Sequence, residues 1–397
     1  MAFGLRSDVL RPSGSARADR VTYVELFFDL VFVFALTQLS AYLYDNQTPL
    51  GALEGVLMVC ALWWAWVSMT WVTNWLDPVK LPVRGAVIAL TFAAFVMSIA
   101  IAEAFGERAW TFALAYVVLQ LGRTGFLVWA MWRHDRAVAG DFACVLVWTT
   151  AASVLWIVGA LLPLPVQLPF WAAALAVELV GTILGYPVPG LGRLQLEGWD
   201  VSGPHIAERS ALFVLIAIGE SILVVGFAFV DLESSAWSTI AMVNAFVMAA
   251  ALWWIYFDHG ERVGAEAIER AAEPARLART AYTFVHLLVI AGIVVTSVAH
   301  KELFAHPHER GLAAFTVVLV GPVLFLAGTA LFRRFVAGRW PIAHLCGVLA
   351  LAVLAAVAAS VTDATPLAIG IGATSVLVAV AAAETVDRLR RGRRSGG

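Results

Sequence analysis

Residues 24–40 read VELFFDLVFVFALTQLS, an apolar run that contains two carboxylates, Glu25 and Asp29. A helix needs about 20 predominantly apolar residues to cross the hydrocarbon core of a bilayer. The wider window 22–43 meets this requirement, and a lipid-exposed backbone has to be helical to satisfy its hydrogen bonds. This stretch therefore predicts a transmembrane helix that carries two acidic side chains.

The whole chain has the composition of a membrane protein. Of its 397 residues, 61% are hydrophobic and 14% are charged, and the mean hydropathy is +0.85. Soluble domains carry about 25% charged residues, so this composition excludes an ordinary cytoplasmic enzyme, a disordered chain and a nucleic-acid binder. We predict an all-α, polytopic transmembrane protein with about 12 spans. The windows are 22–43, 52–74, 84–104, 109–132, 142–162, 168–186, 209–230, 237–258, 281–300, 311–332, 341–361 and 366–386.

Lysine and arginine are distributed unevenly between the predicted loops. When loops are assigned alternately to the two sides of the membrane, one side holds 22 basic residues and the other holds 3. An excess of basic residues marks the cytoplasmic side. The pattern predicts a multi-pass protein of the cell inner (plasma) membrane with both termini in the cytoplasm. No apolar signal-peptide region precedes the first span, so we expect that helix to act as the insertion signal.

The chain contains a candidate internal repeat. The second window contains MVCALWW at Met58–Trp64 and the eighth contains MAAALWW at Met248–Trp254, with five of seven positions identical. An even number of spans in each half would make the repeats parallel, and chance similarity in a tryptophan-rich chain is the alternative. The predicted organisation is a cytoplasmic N-terminal segment (1–21), a first six-helix half (22–186), a cytoplasmic linker (187–208), a second six-helix half (209–386) and a basic cytoplasmic tail (387–397).

Several ionisable side chains lie within or at the ends of predicted spans, where a charge costs roughly 2.5–3.5 kcal/mol on insertion scales. Such residues usually face a cavity or one another. Asp29 and Arg123 are predicted at similar depth and could pair, whereas Glu178 and Glu220 would share a proton if they meet near the midplane. Alternatively, the charges only fix helix register and partner choice. The candidates are Glu25, Asp29, Arg123, Glu178, Glu208, Arg209 and Glu220.

The sequence lacks the motifs of nucleotide, metalloprotease and hydrolase chemistry. It has no G-x-x-x-x-G-K-[ST], no H-E-x-x-H and no G-x-S-x-G, so we expect no cofactor and no bound metal. One histidine-rich stretch in a predicted extracytoplasmic loop does not match a standard ligand spacing, and a solvated loop is favoured over a metal site. That stretch contains His300, Glu302, His306, His308 and Glu309.

The run at 24–40 and the stretch HIAERSALF at His205–Phe213, followed by IGES at Ile218–Ser221, resemble the two signatures of the low-temperature-requirement A family. The resemblance spans roughly residues 20–385 and implies a polytopic bacterial inner-membrane protein. It implies no particular biochemical activity. It adds His205 to the candidate residues, alongside others that stand at signature positions: Glu25, Asp29, Glu208, Arg209 and Glu220.

The leading hypothesis is a secondary transporter or an ion- or proton-conducting protein that uses its intramembrane carboxylates. The alternatives are a membrane-embedded enzyme or enzyme partner that acts on lipid, and a non-catalytic membrane sensor or scaffold. An enzyme is less favoured than a non-enzyme. The expected partners are membrane lipids and a small ion or small molecule, with no nucleic acid, and a homo-oligomer is left open.

Overall fold

The computed structural model describes residues 9–11, 20–132, 134–195, 201–231, 235–258, 260–306, 312–361 and 364–395. Within these ranges, 12 helices are long and apolar enough to cross a membrane. This finding confirms the predicted all-α, polytopic transmembrane architecture. In chain order the α-helices are α1 (Tyr23–Asp45), α2 (Pro49–Trp75), α3 (Leu81–Ile99), α4 (Ala109–Met131), α5 (Arg136–Ala160), α6 (Leu164–Leu184), α7 (Gly203–Asp231), α8 (Ala236–Phe257), α9 (Gly260–Arg270), α10 (Pro274–Ala278), α11 (His286–Ala305), α12 (Leu312–Ala337), α13 (Ile342–Ser360) and α14 (Pro366–Ser395).

Two short helical segments that are not α-helical lie between these helices. A 3₁₀ turn, Ile101–Glu103, follows α3, and a π-helical segment, Arg279–Val285, joins α10 to α11. Helix α10, the π-helical segment and α11 form one continuous span over Pro274–Ala305. The short α9 lies within the stretch that separates the eighth and ninth predicted windows, and α14 extends through the described part of the predicted basic tail.

Local sequence signals explain where several helices begin and end. The Asp135 side chain accepts hydrogen bonds from the backbone N–H groups of Ala137 and Val138 at the start of α5, as an N-cap does. Ser235 and Ser238 form a reciprocal capping box at the start of α8. Helix α6 ends at Leu184 and is capped by Gly185, whose φ of 76° is in the left-handed region that glycine adopts most readily.

The first compact unit comprises Met1–Tyr42, Pro49–Arg209 and Ala272–Arg276. Within it, α3 packs on α4, α4 on α5 and α5 on α6, while α2 contacts both α4 and α6. An aromatic core joins these helices, with the Trp156 ring 4.5 Å from Tyr116 and 4.9 Å from Trp171 between centroids. The polar side chains described below are therefore embedded among large rings.

The second compact unit comprises Leu43–Thr48, Ser210–Ala271 and Leu277–Gly397. Within it, α11 packs on α12, α12 on α13, α13 on α14 and α8 on α14. Two glycines allow α11 and α12 to approach closely. A Cβ on Gly292 would lie 2.5 Å from the backbone nitrogen of Phe325, and one on Gly321 would lie 2.7 Å from that of Thr296, so neither position has room for a side chain.

The structure differs from the sequence-based expectations at two helix ends. Helix α7 begins at Gly203, inside the predicted linker, so that His205 is helical rather than in a loop. Helix α11 continues to Ala305, and both His300 and Glu302 are buried in it instead of lying in a solvated loop. The predictions for His308 and Glu309 lie outside the described residues.

The two copies of the candidate repeat have different environments. Trp64 in α2 is 5% exposed, whereas the matching Trp254 in α8 is 43% exposed. The tryptophan that ends the repeat is therefore buried in the first unit and partly exposed in the second.

Candidate functional site

A fully buried ion pair joins α1 to the beginning of α7 inside the first unit. Asp29 Oδ1 lies 2.9 Å from Arg209 Nη2 and accepts a second hydrogen bond, of 2.8 Å, from Trp66 Nε1 on α2. The Arg209 guanidinium carbon also lies 5.4 Å from the centre of a Trp66 ring, within the range of a cation–π contact. The expected pairing of Asp29 with Arg123 is wrong, because Arg209 takes that place.

This ion pair leaves part of its hydrogen-bonding capacity unused. Among the described residues, Asp29 Oδ2 and Arg209 Nε and Nη1 are buried without a hydrogen-bond partner. Both side chains are 0% exposed. Buried polar atoms are almost always hydrogen-bonded, and each exception asks for an explanation.

A second carboxylate of α1, Glu25, contacts a histidine of α7. Glu25 Oε1 lies 2.8 Å from His205 Nε2, and the other ring nitrogen, Nδ1, lies 3.1 Å from Asn74 Nδ2 on α2. The orientation of the Asn74 amide is set by Ser202, which accepts from Nδ2 and donates to Oδ1. Because Asn74 donates to Nδ1, the ring is neutral there and carries its proton on Nε2, which donates to Glu25.

Glu25 also binds the residue that precedes α1 and Arg11 of the described N-terminal residues 9–11. Its Oε2 accepts hydrogen bonds of 2.8 Å from both the backbone N–H and the hydroxyl of Thr22, which is half of a capping box. The guanidinium of Arg11 lies 3.3 Å away from the same oxygen. Arg11 is itself anchored, since its backbone N–H donates to the carbonyl of Trp75 at 2.9 Å.

We call the residues Glu25, Asp29, Trp66, Asn74, His205 and Arg209 the Asp29 cluster. It draws on α1, α2 and α7, and every member is buried. Glu208 lies beside the cluster and is half-buried, and its Oε2 accepts a 3.0 Å hydrogen bond from the backbone N–H of Val21. The candidates Glu25, Asp29, His205 and Arg209 therefore come together, and Glu208 supports the entry to α1.

The remaining first-unit candidates, Arg123 and Glu178, belong to a separate group on α4 and α6. Glu178 Oε2 accepts a 2.8 Å hydrogen bond from the Tyr116 hydroxyl, and its Oε1 accepts one of 2.9 Å from Gln120 Nε2. Arg123 Nε donates to Gln120 Oε1 at 2.9 Å. We call Tyr116, Gln120, Arg123 and Glu178 the Glu178 cluster; all four side chains are buried.

Glu220 lies in the second unit, on the part of α7 that follows Arg209, and is 1% exposed. Its neighbour Ser221 contacts His300 of α11, with 3.0 Å between Oγ and Nδ1. The hypothesis that Glu178 and Glu220 share a proton stays a prediction. Within the described part of the chain, no three His, Cys, Asp or Glu side chains are grouped so that they could hold a metal ion.

Reasoning from the sequence missed Trp66 and Asn74 of the Asp29 cluster, and Arg11, which contacts Glu25. The first two are eight residues apart on α2, a spacing that places them near one face of the helix. A search for polar groups at helical spacing within the tryptophan-rich second window would have found Asn74. Arg11 precedes the spans, and no periodic signal marks it.

Comparisons with known proteins agree with the signatures in α1 and α7. The family model described as bacterial low temperature requirement A protein (LtrA) matches residues 20–382, most of the chain. An uncharacterized protein of Rhizobium meliloti (strain 1021) is 39% identical over 333 residues, which cover 83% of this chain and 81% of that relative. No solved structure shows a significant match. The chain therefore belongs to the bacterial low temperature requirement A family.

Proposed function

We propose that this protein is a secondary transporter or an ion-conducting protein in which Asp29 binds a proton or a small cation. The observation that carries the proposal is the buried Asp29–Arg209 pair, three of whose polar atoms have no hydrogen-bond partner among the described residues. Ionisable residues inside transmembrane segments commonly mark ion pathways or proton relays. The substrate is small, because the described loops are too short to hold a folded domain.

Protonation of Asp29 would change the forces between α1, α2 and α7. A neutral carboxylic acid attracts the Arg209 guanidinium much less strongly, and the guanidinium then loses the counter-ion that it contacts directly. The favourable alternatives are a new anion beside Arg209 or a movement of α7 away from α1. The protein would then have one arrangement when Asp29 is ionised and another when it is protonated. Ion coupling requires two such states whose populations depend on proton binding.

We also propose that the two halves are parallel repeats with both termini in the cytoplasm. Counting six spans in each half, the third packs on the fourth, the fourth on the fifth, the fifth on the sixth and the second on the sixth in both units. This common order supports the repeat beyond the short match of Met58–Trp64 with Met248–Trp254. The inner membrane and the orientation rest on the distribution of Lys and Arg.

Proton flux into proteoliposomes tests the role of Asp29. The purified full chain is reconstituted with an internal pH-sensitive dye, and a membrane potential is imposed with valinomycin and potassium. We expect wild-type protein to acidify or alkalinise the lumen above the rate of protein-free vesicles, and Asp29→Asn to lose most of that rate. Asn keeps the shape of the side chain but cannot take up a proton.

Glu103→Gln is the matched control, because Glu103 pairs with Arg108 at 2.9 Å on an exposed turn. It removes one carboxylate outside the buried network, and its flux is expected to equal that of the wild type. Equal flux for Asp29→Asn and wild type, at equal reconstitution, would refute the proposed role of Asp29.

A non-catalytic membrane scaffold is the second candidate, and the satisfied hydrogen bonds of Glu25 and Glu178 favour it. A scaffold needs only the attraction between α1 and α7, and it does not matter which helix carries the positive charge and which the negative charge. The exchanged double variant Asp29→Arg with Arg209→Asp would then restore cellular function fully. A transport site would not tolerate the exchange, because the proton-binding group would move to another helix.

A further inference from the structure

We propose that a cavity at the adjoining ends of α12, α13 and α14 binds the headgroup phosphate of an acidic phospholipid. The cavity has a volume of about 590 Å³ and lies wholly within the second unit. It is distinct from the Asp29 and Glu178 clusters, so the inference does not depend on the proposed transport function.

The wall of the cavity is divided between apolar and charged side chains. Phe332 and Val336 of α12 and Ile342 of α13 supply apolar surface, and Trp340 of the connecting turn lies beside them. The charged side chains that line it are Arg333, Arg339, Glu384, Asp387 and Arg388. A phospholipid has the same division, with a charged phosphate next to hydrocarbon.

Two of the three lining arginines are already engaged. Arg333 forms a two-pronged contact with Glu384, with 2.9 Å between Nη2 and Oε2. Arg388 Nη1 lies 2.6 Å from Asp258 Oδ1. Arg339 is exposed, and among the described residues no ion pair or hydrogen bond of its guanidinium is found. Arg339 is therefore the cation of this cavity with free capacity for an anion.

The surrounding segments are strongly basic. Residues 333–339 and 384–390 together contain five arginines and two carboxylates. Arginine recognises phosphate with paired N–H donors, and basic pockets between transmembrane helices bind lipid headgroups. Glu384 is neutralised by Arg333, so it does not repel a phosphate held at Arg339.

The position of the cavity along the helices fits a lipid rather than a soluble phosphate. It adjoins the turn between the end of α12 at Ala337 and the start of α13 at Ile342, where the chain leaves the spanning segments. Trp340 on this turn is 49% exposed, and tryptophan is enriched at the headgroup level of membranes. The apolar wall would contact the first part of an acyl chain, for which inorganic phosphate has no equivalent.

Binding of a fluorescent short-chain phosphatidylglycerol to the full chain in neutral detergent tests this inference. We expect wild-type protein to bind it more tightly than the matching phosphatidylcholine. Arg339→Gln should weaken phosphatidylglycerol binding about five-fold, the effect of losing one basic contact near a lipid surface, and should leave phosphatidylcholine binding unchanged.

Arg334→Gln is the matched control, because Arg334 is an exposed arginine in the last turn of α12, just before the turn that carries Arg339. The Arg334 guanidinium donates a hydrogen bond to the carbonyl of Gly338, and Arg334 does not line the cavity. Its binding should equal that of the wild type. Equal affinities for the two lipids would overturn the proposal, as would an equal loss in both arginine variants. Displacement of the lipid by millimolar inorganic phosphate would identify a free-anion site and would also overturn it.

Discussion

The first unit buries two carboxylates in two different ways. Asp29 faces a cation from a helix far away in the chain, and three polar atoms of that ion pair have no hydrogen-bond partner among the described residues. Glu178 faces a hydroxyl and an amide from α4, and each of its oxygens accepts a hydrogen bond. Burial of an acid therefore does not by itself mark a reactive site, because its energetic role also depends on whether its partners are charged or neutral.

The two arginines repeat this contrast. Arg209 contacts a carboxylate directly, whereas among the described residues Arg123 donates to the side-chain oxygen of Gln120, whose amide nitrogen donates to Glu178. If partner type decides the energetic role, then substitutions in the Asp29 cluster should have larger effects than those in the Glu178 cluster.

The largest effect is expected for Arg209→Gln. It leaves Asp29 buried without its counter-ion, and breaking a buried ion pair in this way costs about 3–5 kcal/mol. Thermal unfolding of the purified protein in detergent, followed by loss of the monodisperse peak, measures the change. The double variant Asp29→Asn with Arg209→Gln removes both charges and should recover most of the lost stability; no recovery would contradict the dominance of the ion pair.

A smaller effect is expected for Glu178→Gln. The new amide has one oxygen, so it can accept from either Tyr116 or Gln120, and its NH₂ group then meets the other donor. Hydrogen bonds in membrane proteins contribute about 0.6 kcal/mol on average and up to about 1.7, and we expect a loss of about 1–2 kcal/mol. A loss as large as that of Arg209→Gln, in the same thermal assay, would break the distinction between the two clusters.

The smallest effect is expected for Arg123→Gln. Among the described residues, this change removes one hydrogen bond to Gln120 and no ion pair with a carboxylate, so the loss of stability should be about 1 kcal/mol or less. Proton flux should also match the wild type if Asp29, rather than the Glu178 cluster, binds the transported ion. Loss of flux in Arg123→Gln with normal stability would show that the second cluster takes part in transport.

The architecture and several site residues could be predicted from the sequence because both follow from the energetics of lipid. Twelve apolar windows correspond to helices, and the cost of charge at depth directed attention to Asp29 and Arg209. The partner of Asp29 could not be predicted, since depth alone does not say which helices adjoin. Arg123 and Arg209 both carry the positive charge that a partner of Asp29 needs. Only the packing of α1, α2 and α7 shows that the partner is Arg209.

Other features depend on local structure that hydropathy does not record. Helix α7 starts earlier than its apolar window because its first turn, around His205, is polar but packed against Asn74 and Glu25. His300 and Glu302 continue α11 for the same reason, since the buried Ser221 and the half-buried Gln47 replace water as their polar partners. An average of hydropathy over a window assigns such polar residues to a loop, although they are helical and buried.

The ion pair between Asp29 and Arg209 also has a consequence for biosynthesis. Arg209 follows Asp29 by 180 residues in the chain, and ribosomes add roughly 5–20 residues per second. The first helix therefore waits on the order of ten to forty seconds before its counter-ion is translated. During that interval the nascent acid must either remain protonated or be sheltered by the insertion machinery, so that late arrival of the seventh helix completes the ionic contact.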